Sequence, residues 1–369
     1  MLINHSHSET SVTLFAGCTG VSKVARILPL ASLLEINGFK TQVVHPIFWQ
    51  NIVKENLANV FSTFLTHHLF DYLKTLIRPP TIVIISRIAT PQMYLFQIWL
   101  KSKGVKVIFD IDDNRFLPMF KVLGTKLRPG SFFIERVIQK ADFVTVNGHY
   151  LKESVMPLNR NVAIIHEPID TIQFRPILKK NNGKITILWE GNPLGHHNDL
   201  LLLIKPFIRL SKKYNIRFKM ISFLGDVKVK EMFRELEKSM EIDYGKEDWV
   251  PIENYPKLLS DSAPDILVAP LQKTPWNEGK SALRVGYGMA MGIPVVASSV
   301  GEQKYVIKHG INGLLAKNEE EWFLYLKMLI DDNRLRISMG RGAREAAEKK
   351  FSCPVVGKKL YDIIVTLIK

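Results

Sequence analysis

Short apolar, β-branched runs alternate along this chain with longer segments whose apolar residues recur at helical spacing. The runs at 12–16, 41–45, 81–86, 105–110, 143–146 and 162–165 are almost continuous in Val, Ile, Leu and Phe and are bounded by charged or turn-forming residues. That pattern predicts strands buried on both faces. Between them, 21–37, 50–76, 92–103 and 131–140 carry the spacing of amphipathic helices. The alternation then starts again. Strands are predicted at 184–189, 217–223, 266–269, 294–297 and 313–316, and helices at 199–214, 229–240, 280–291 and 319–331. Two further helices are predicted at 333–349 and 354–369. The polar, turn-rich stretch 175–183 separates the two series and reads as a linker.

A series of this kind implies a mostly parallel sheet wrapped by helices. The expected fold class is therefore α/β, with two Rossmann-like, doubly wound domains: residues 1–175, then 176–350, followed by a terminal helix over 351–369. Open parallel sheets bind ligands at the carboxyl ends of their strands. Two of them facing a central cleft suit a reaction that joins a donor to an acceptor. A chain of 369 residues is long enough for two cores.

Composition narrows the partners. Lys and Arg number 50 against 35 acidic residues, a formal charge of +15. Such an excess fits nucleic acid, an anionic leaflet or phosphorylated substrates, and no nucleic-acid recognition motif accompanies it. The two cysteines, Cys18 and Cys353, are far apart and belong to no Cys/His cluster, which argues against a disulfide framework or zinc site and suits a reducing compartment. No signal peptide and no spanning segment is expected. The expected location is cytoplasmic, peripheral on the inner face of the membrane. Basic residues interleaved with aromatics over 115–136 fit an anionic lipid surface as well as they fit core packing.

The stretch Trp276–Ala316, WNEGKSALRVGYGMAMGIPVVASSVGEQKYVIKHGINGLLA, carries the densest chemistry. Asn277, Glu278, Gly279, Lys280 and Ser281 form a polar turn ahead of a helix, whose start offers free N–H groups to phosphate oxygens. Lys280 and Arg284 are expected one turn apart on that helix, within reach of one anion. Glu278 can accept from sugar or ribose hydroxyls. A capped helix with solvated charges is the other reading. A run of small residues, a Gly–Pro break and the strand at 294–297 follow. Gly301 and Glu302 stand at that strand's end, and Gly310 and Gly313 bracket a tight turn.

This ordered run resembles the retaining glycosyltransferases of family 4, which have the GT-B fold. The resemblance is close over about forty residues. It extends to ITILWEGNPLGHHNDL at 185–200, to Asp265–Leu271, to the strand at 142–147, and to His166–Asp170 with Phe174. It implies transfer of a hexose-like sugar from a UDP- or GDP-linked donor, with retention, to a lipid-linked or polysaccharide acceptor. It implies no metal and no cofactor besides the nucleotide-sugar. Gly191, Asn192, Gly279, Ser281, Tyr287, Gly301 and Glu302 would touch the donor. Lys280 and Arg284 would neutralise the leaving diphosphate and Glu278 would orient the sugar. The last helix would cross back to the first domain.

The sequence departs from the family pattern at two places. Tyr287 stands where many members have an acid, and its hydroxyl is no carboxylate. The Arg and Lys that many members carry after the first strand of the second domain are missing, and His196, His197 and Asn198 stand there instead. In the first domain, Asp110, Asp112 and Asp113 end a strand. They suit acceptor hydroxyls, a helix cap or a hard cation, in that order. Asp110 is the catalytic candidate among them, and Asp113, Arg26 and Arg87 are assigned to the acceptor side. The alternative function is a non-catalytic, nucleotide-binding or scaffold subunit of the same fold.

Overall fold

In a computed structural model, the structure describes residues 10–17, 23–44, 69–114, 116, 120–122, 125–127, 129–177, 184–222, 224–245 and 252–369. The greater part of the helix expected at 50–76, the His67–His68 pair, the side chains at 117–132 and linker residues 178–183 lie outside that set. Two compact units emerge. One comprises Met1–Pro168 with Val356–Lys369, the other Ile169–Val355.

The first unit is built on β1 (Ser11–Ala16), β2 (Lys40–Val44), β3 (Ile82–Ser86), β4 (Lys106–Ile111), β7 (Phe143–Val146) and β8 (Val162–Ile164), in the order β2-β1-β3-β4-β7-β8. Every pairing is parallel. A short antiparallel hairpin, β5 (Phe120–Val122) and β6 (Thr125–Leu127), stands apart. β3 reads IVIIS and every residue in it is buried, which is why these strands lack an in/out alternation. Helices cover the sheet. Pro91–Ser102 starts sharply because Thr90 accepts from the Met93 N–H and Pro91 occupies the first turn. In the terminal helix Cys353–Ile368, Tyr361 packs on Phe39 within the first unit.

The second unit repeats the plan with β9 (Ile185–Glu190), β10 (Ile216–Ile221), β11 (Glu241–Tyr244), β12 (Ile266–Ala269), β13 (Val295–Ser298) and β14 (Leu314–Ala316), ordered β11-β10-β9-β12-β13-β14. One face buries Trp189, Phe207, Phe218, Phe233 and Trp322, and the other buries Leu188, Leu267, Val285 and Met289. The expected strands all form. Sequence reasoning missed β11 and the helices His149–Val155 and Tyr255–Asp261. The helix expected at 229–240 breaks into Val227–Phe233 and a 3₁₀ turn, Leu236–Lys238.

One pair of candidates has a different job from the one expected. Arg26 and Asp110, assigned to acceptor and catalytic roles, are each 1% exposed and form an ion pair under the end of the first sheet. Asp110 accepts from Arg26 Nε (2.9 Å) and Nη2 (2.6 Å), Thr145 Oγ1 (2.6 Å) and Ser86 Oγ (3.2 Å). Arg26 Nη1 donates to the Ile165 carbonyl at 2.7 Å. Burial opposes both charges. The partner charge and hydroxyl donors outweigh it, holding the Asp110 carboxyl below its usual range and the Arg26 guanidinium above its own. A buried pair must be fully hydrogen-bonded to persist, and this one leaves Asp110 no lone pair for an acceptor.

Glu167 lies beside this pair, with Oε1 3.9 Å from Arg26 Nη1. Burial pushes its carboxyl up to about 7, against the pull of Arg26. A native pKa above the unfolded value of 4.5 means that the folded chain binds the extra proton between the two values. Stability contributed by this group is therefore complete below about pH 4.5 and falls, by ~3 kcal/mol in total, as pH rises to about 7. Urea titrations followed by circular dichroism across that window should show the slope, and Glu167→Gln should flatten it.

Candidate functional site

The direction of the crossover connections reverses between β9 and β12 in the second sheet, the position where such sheets bind ligands. The strand β9 ends on Glu190. Gly191 follows with φ +134° and donates its N–H to the Ile221 carbonyl at 3.2 Å. Arg284 rises from the first turn of the helix Leu283–Ala290 and lays its guanidinium 5.0 Å from the centre of the Trp189 ring. Its Nε donates to the Glu190 carbonyl and lies 3.6 Å from the Glu190 carboxylate. The other carboxylate oxygen of Glu190 accepts from the Tyr255 hydroxyl. Burial and the Glu190 charge hold that hydroxyl well above its ordinary range, so it stays a donor.

This arrangement consumes Nε and leaves both terminal nitrogens of Arg284 without a hydrogen-bonding partner among the described residues. It also explains Gly191. A Cβ at this position would lie 2.3 Å from Arg284 Nη2, and the φ is one that side-chain-bearing residues rarely adopt.

A second network fixes the loops around it. Asp199 is buried in the first turn of the helix His197–Ser211. One of its oxygens pairs with His196 Nδ1 at 2.6 Å. The other accepts from the Gln272 N–H (2.7 Å) and Asn277 Nδ2 (2.9 Å). Burial, helped by the charges of Arg284 and Lys280 and opposed by Asp199, lowers the His196 pKa. His197 pairs with Asp226 at 2.7 Å and ties the turn after β9 to the loop after β10. Both histidines, which stand where many family members carry Arg and Lys, are half-buried partners of a carboxylate.

The motif around Lys280 folds differently from the expectation of one helix over 280–291. Thr274 caps a four-residue helix, Pro275–Glu278, by accepting from the Asn277 N–H. Gly279 ends it, and the next helix begins at Leu283. Lys280 therefore sits in the intervening turn, 5.1 Å from the centre of the Trp276 ring, and not on the helix that carries Arg284. Gly279 is buried and Ser281 half-buried in that turn.

The turn rests on Gly301, which has φ +61°; a Cβ there would lie 2.6 Å from the Asn277 carbonyl. Glu278 accepts from the Gly301 N–H (3.2 Å) and Lys304 Nζ (2.9 Å). Glu302 is 1% exposed and its N–H reaches the Lys280 carbonyl at 3.3 Å, so the carboxylate expected to meet ribose is covered. Tyr287, also expected at the donor, is buried and stacked on Phe174 at 4.7 Å. A ring in that place packs the core. Asn192 is exposed and closes its own turn by accepting from the Leu194 N–H at 2.9 Å.

At the end of the first sheet, Arg87 takes φ +64°, a strained value for a side chain of its size. Its guanidinium pairs with Asp112 and Asp113. Arg87 was assigned to the acceptor side, and its side chain is 8% exposed. Among the described residues no group of three His, Cys, Asp or Glu is placed to hold a metal ion, and no helix is long and apolar enough to cross a membrane.

Sequence reasoning missed Glu190, Tyr255, Asp199 and Trp189. Glu190 left a signal, a lone acid closing the apolar run ITILWE. Tyr255 left none, because only the fold brings it to Glu190.

Two six-stranded parallel sheets of this order match the GT-B fold. Residues 184–332 match the family model described as glycosyl transferases group 1, so the chain carries a domain of that family. Among solved structures, HepE from Anabaena in complex with UDP superposes with a TM-score of 0.64 at 15% identity, covering 97% of this chain and 100% of that one. Sucrose-phosphate synthase from Thermosynechococcus elongatus gives 0.69 at 12%, covering 97% and 99%. The lipopolysaccharide outer core galactosyltransferase WaaB gives 0.62 at 14%, covering 97% and 99%. No curated protein matches the chain by sequence.

Gly191→Ala places a methyl group against Arg284 and forces a strained φ, so it should cost about 1–3 kcal/mol in urea unfolding. Removing the guanidinium as well, by adding Arg284→Ala, should recover part of that loss in a double-mutant cycle. Strict additivity would mean that the two do not touch.

Proposed function

We propose that this glycosyltransferase binds a UDP-linked sugar at the end of β9 and transfers it, with retention, to a lipid-linked or saccharide acceptor taken by the first unit. The observation that carries the donor assignment is Arg284. It is a guanidinium pinned through Nε, with its two terminal nitrogens unpaired among the described residues, at the switch point of a parallel sheet. Paired, parallel N–H groups of this kind match phosphate oxygens. Lys280 adds a second cation close enough to depress His196 together with Arg284. HepE, whose solved forms include complexes with UDP and with UDP-glucose, supports UDP as the first nucleotide to test. WaaB acts on lipopolysaccharide outer core, which supports an envelope acceptor.

In this reading the bond between the anomeric carbon and the diphosphate oxygen breaks, and its electron pair leaves with the diphosphate. Arg284 and Lys280 stabilise the charge that develops there. The acceptor hydroxyl oxygen forms the new bond and releases its proton. Gly191 keeps the backbone clear of the guanidinium. Glu278, held by Gly301 and Lys304, fixes the shape of the Lys280 turn, to which Gly279 and Ser281 also belong. Asp113 and Arg87 belong to the acceptor side. A peripheral site on the inner face of the membrane fits the +15 charge.

The non-catalytic alternative draws on one observation, the core packing of Tyr287 where many relatives of the family carry an acid. Calorimetry with UDP and GDP sugars, followed by an assay for released nucleotide, separates the readings. Binding with turnover is expected; binding without turnover under any donor would favour the alternative. Arg284→Ala should lower kcat by about 10²–10³-fold, with Lys280→Ala lower by a smaller factor and Arg284→Lys in between. Unchanged kcat in Arg284→Ala would remove the donor assignment.

A further inference from the structure

We propose that Tyr255 is a positioning residue for the donor diphosphate: its hydroxyl ties back the Glu190 carboxylate, which would otherwise pair with the terminal nitrogens of Arg284 and compete with phosphate oxygens for them. The inference rests on the reading that Arg284 takes the diphosphate. Tyr255 acts in it through Glu190 and not by touching the donor.

Glu190 sets the problem. Its backbone carbonyl accepts from Arg284 Nε, and Oε1 of its carboxylate lies 3.6 Å from the same nitrogen. A carboxylate tethered so close to a guanidinium has a stronger geometry open to it, the two-pronged pairing with parallel N–H groups. The terminal nitrogens of Arg284, which have no hydrogen-bonding partner among the described residues, offer that pairing. Diphosphate oxygens call on the same nitrogens. A turn of the Glu190 side chain onto them would close the site to the donor.

The far oxygen decides between the two arrangements. Oε2 of Glu190 accepts from the Tyr255 hydroxyl. Glu190 is 7% exposed, so little water can replace that bond, and hydrogen bonds to a charged acceptor are among the stronger ones. Tyr255 is itself held in place. It opens the helix Tyr255–Asp261, and its ring lies 5.4 Å from that of Tyr287, which stacks on Phe174 at 4.7 Å. The row Phe174, Tyr287, Tyr255 thus ends in a hydroxyl aimed at Glu190, which gives the buried Tyr287 ring a part in the site. Burial and the Glu190 charge keep that hydroxyl protonated, so the tie holds across the ordinary pH range.

The test is calorimetric titration of UDP into the full chain and three variants: Tyr255→Phe, Glu190→Gln and the two together. Tyr255→Phe removes the hydroxyl, keeps the ring and should weaken UDP about ten-fold. In the Glu190→Gln background no carboxylate remains to compete, and the same substitution should change the affinity by less than about two-fold. Undiminished binding in Tyr255→Phe, or a loss of the same size in both backgrounds, would overturn the proposal, because a hydroxyl that only supports the fold acts whatever stands at position 190. Circular dichroism checks that each variant is folded, and Glu190→Ala replaces Glu190→Gln in the cycle if the amide variant is not. With UDP-glucose as donor, Tyr255→Phe should raise KM and leave kcat within about two-fold, since the competition ends once the diphosphate is seated. A fall in kcat at constant KM would also overturn it. If UDP does not bind the unaltered chain, the donor reading itself fails; if UDP binds there and the cycle shows no coupling between Tyr255 and Glu190, only the role of Tyr255 fails.

Discussion

The second unit is organised around holding one guanidinium still. Arg284 has the stacking surface of Trp189 on one side, the carbonyl and carboxylate of Glu190 at Nε, and the bare Cα of Gly191 beside Nη2. Each contact comes from the last two residues of β9 or the glycine that follows it, so the strand end and the helix start are fitted to each other through this side chain. Tyr255 completes the set by donating to the far oxygen of Glu190, which keeps that carboxylate from competing for the terminal nitrogens. A flexible arginine spends rotamer entropy whenever it grips an anion; one already clamped by its own chain does not.

The first unit treats its charges differently. Arg26 and Asp110 are sealed beneath the sheet end and satisfied entirely by each other, by Ser86 and Thr145, and by a backbone carbonyl. Above them, Arg87 with Asp112 and Asp113 keeps the same kinds of charge nearer the surface. One layer of ion pairs therefore lies sealed in the core and the next lies closer to the surface. The same acidic run supplies both layers, because successive residues beyond a strand end leave the core by steps.

Much of the fold was legible because it depends on burial period. Continuous apolar runs such as IVIIS can only be strands covered on both sides, and their alternation with amphipathic segments dictates parallel pairing. What escaped was short or half-exposed. β11 reads EIDY, with no buried face to announce it, and Tyr255–Asp261 is a helix of only seven residues. Around Lys280 and Arg284 the sequence made a polar turn ahead of a helix legible but not the backbone path. A Thr-Pro start and a Gly stop, both visible in the sequence, set a separate short helix ahead of the expected one, which begins only at Leu283. Partner choice was the least legible layer. Nothing local says that Asp110 will spend its lone pairs on Arg26, or that Tyr287 will find Phe174. Those facts belong to residues that are distant in sequence and meet only after folding.

Asp199 gives this end of the second sheet a property that no single loop has. Through one carboxylate, the turn after β9, the segment following β12 and the short helix bearing Asn277 share a common anchor. Loops tied to a single point inside the core cannot wander independently, so a molecule arriving there meets a surface already set in shape. Most of the ordering cost falls on the folding of the chain, and the free energy of contact goes into affinity and not into arranging the host.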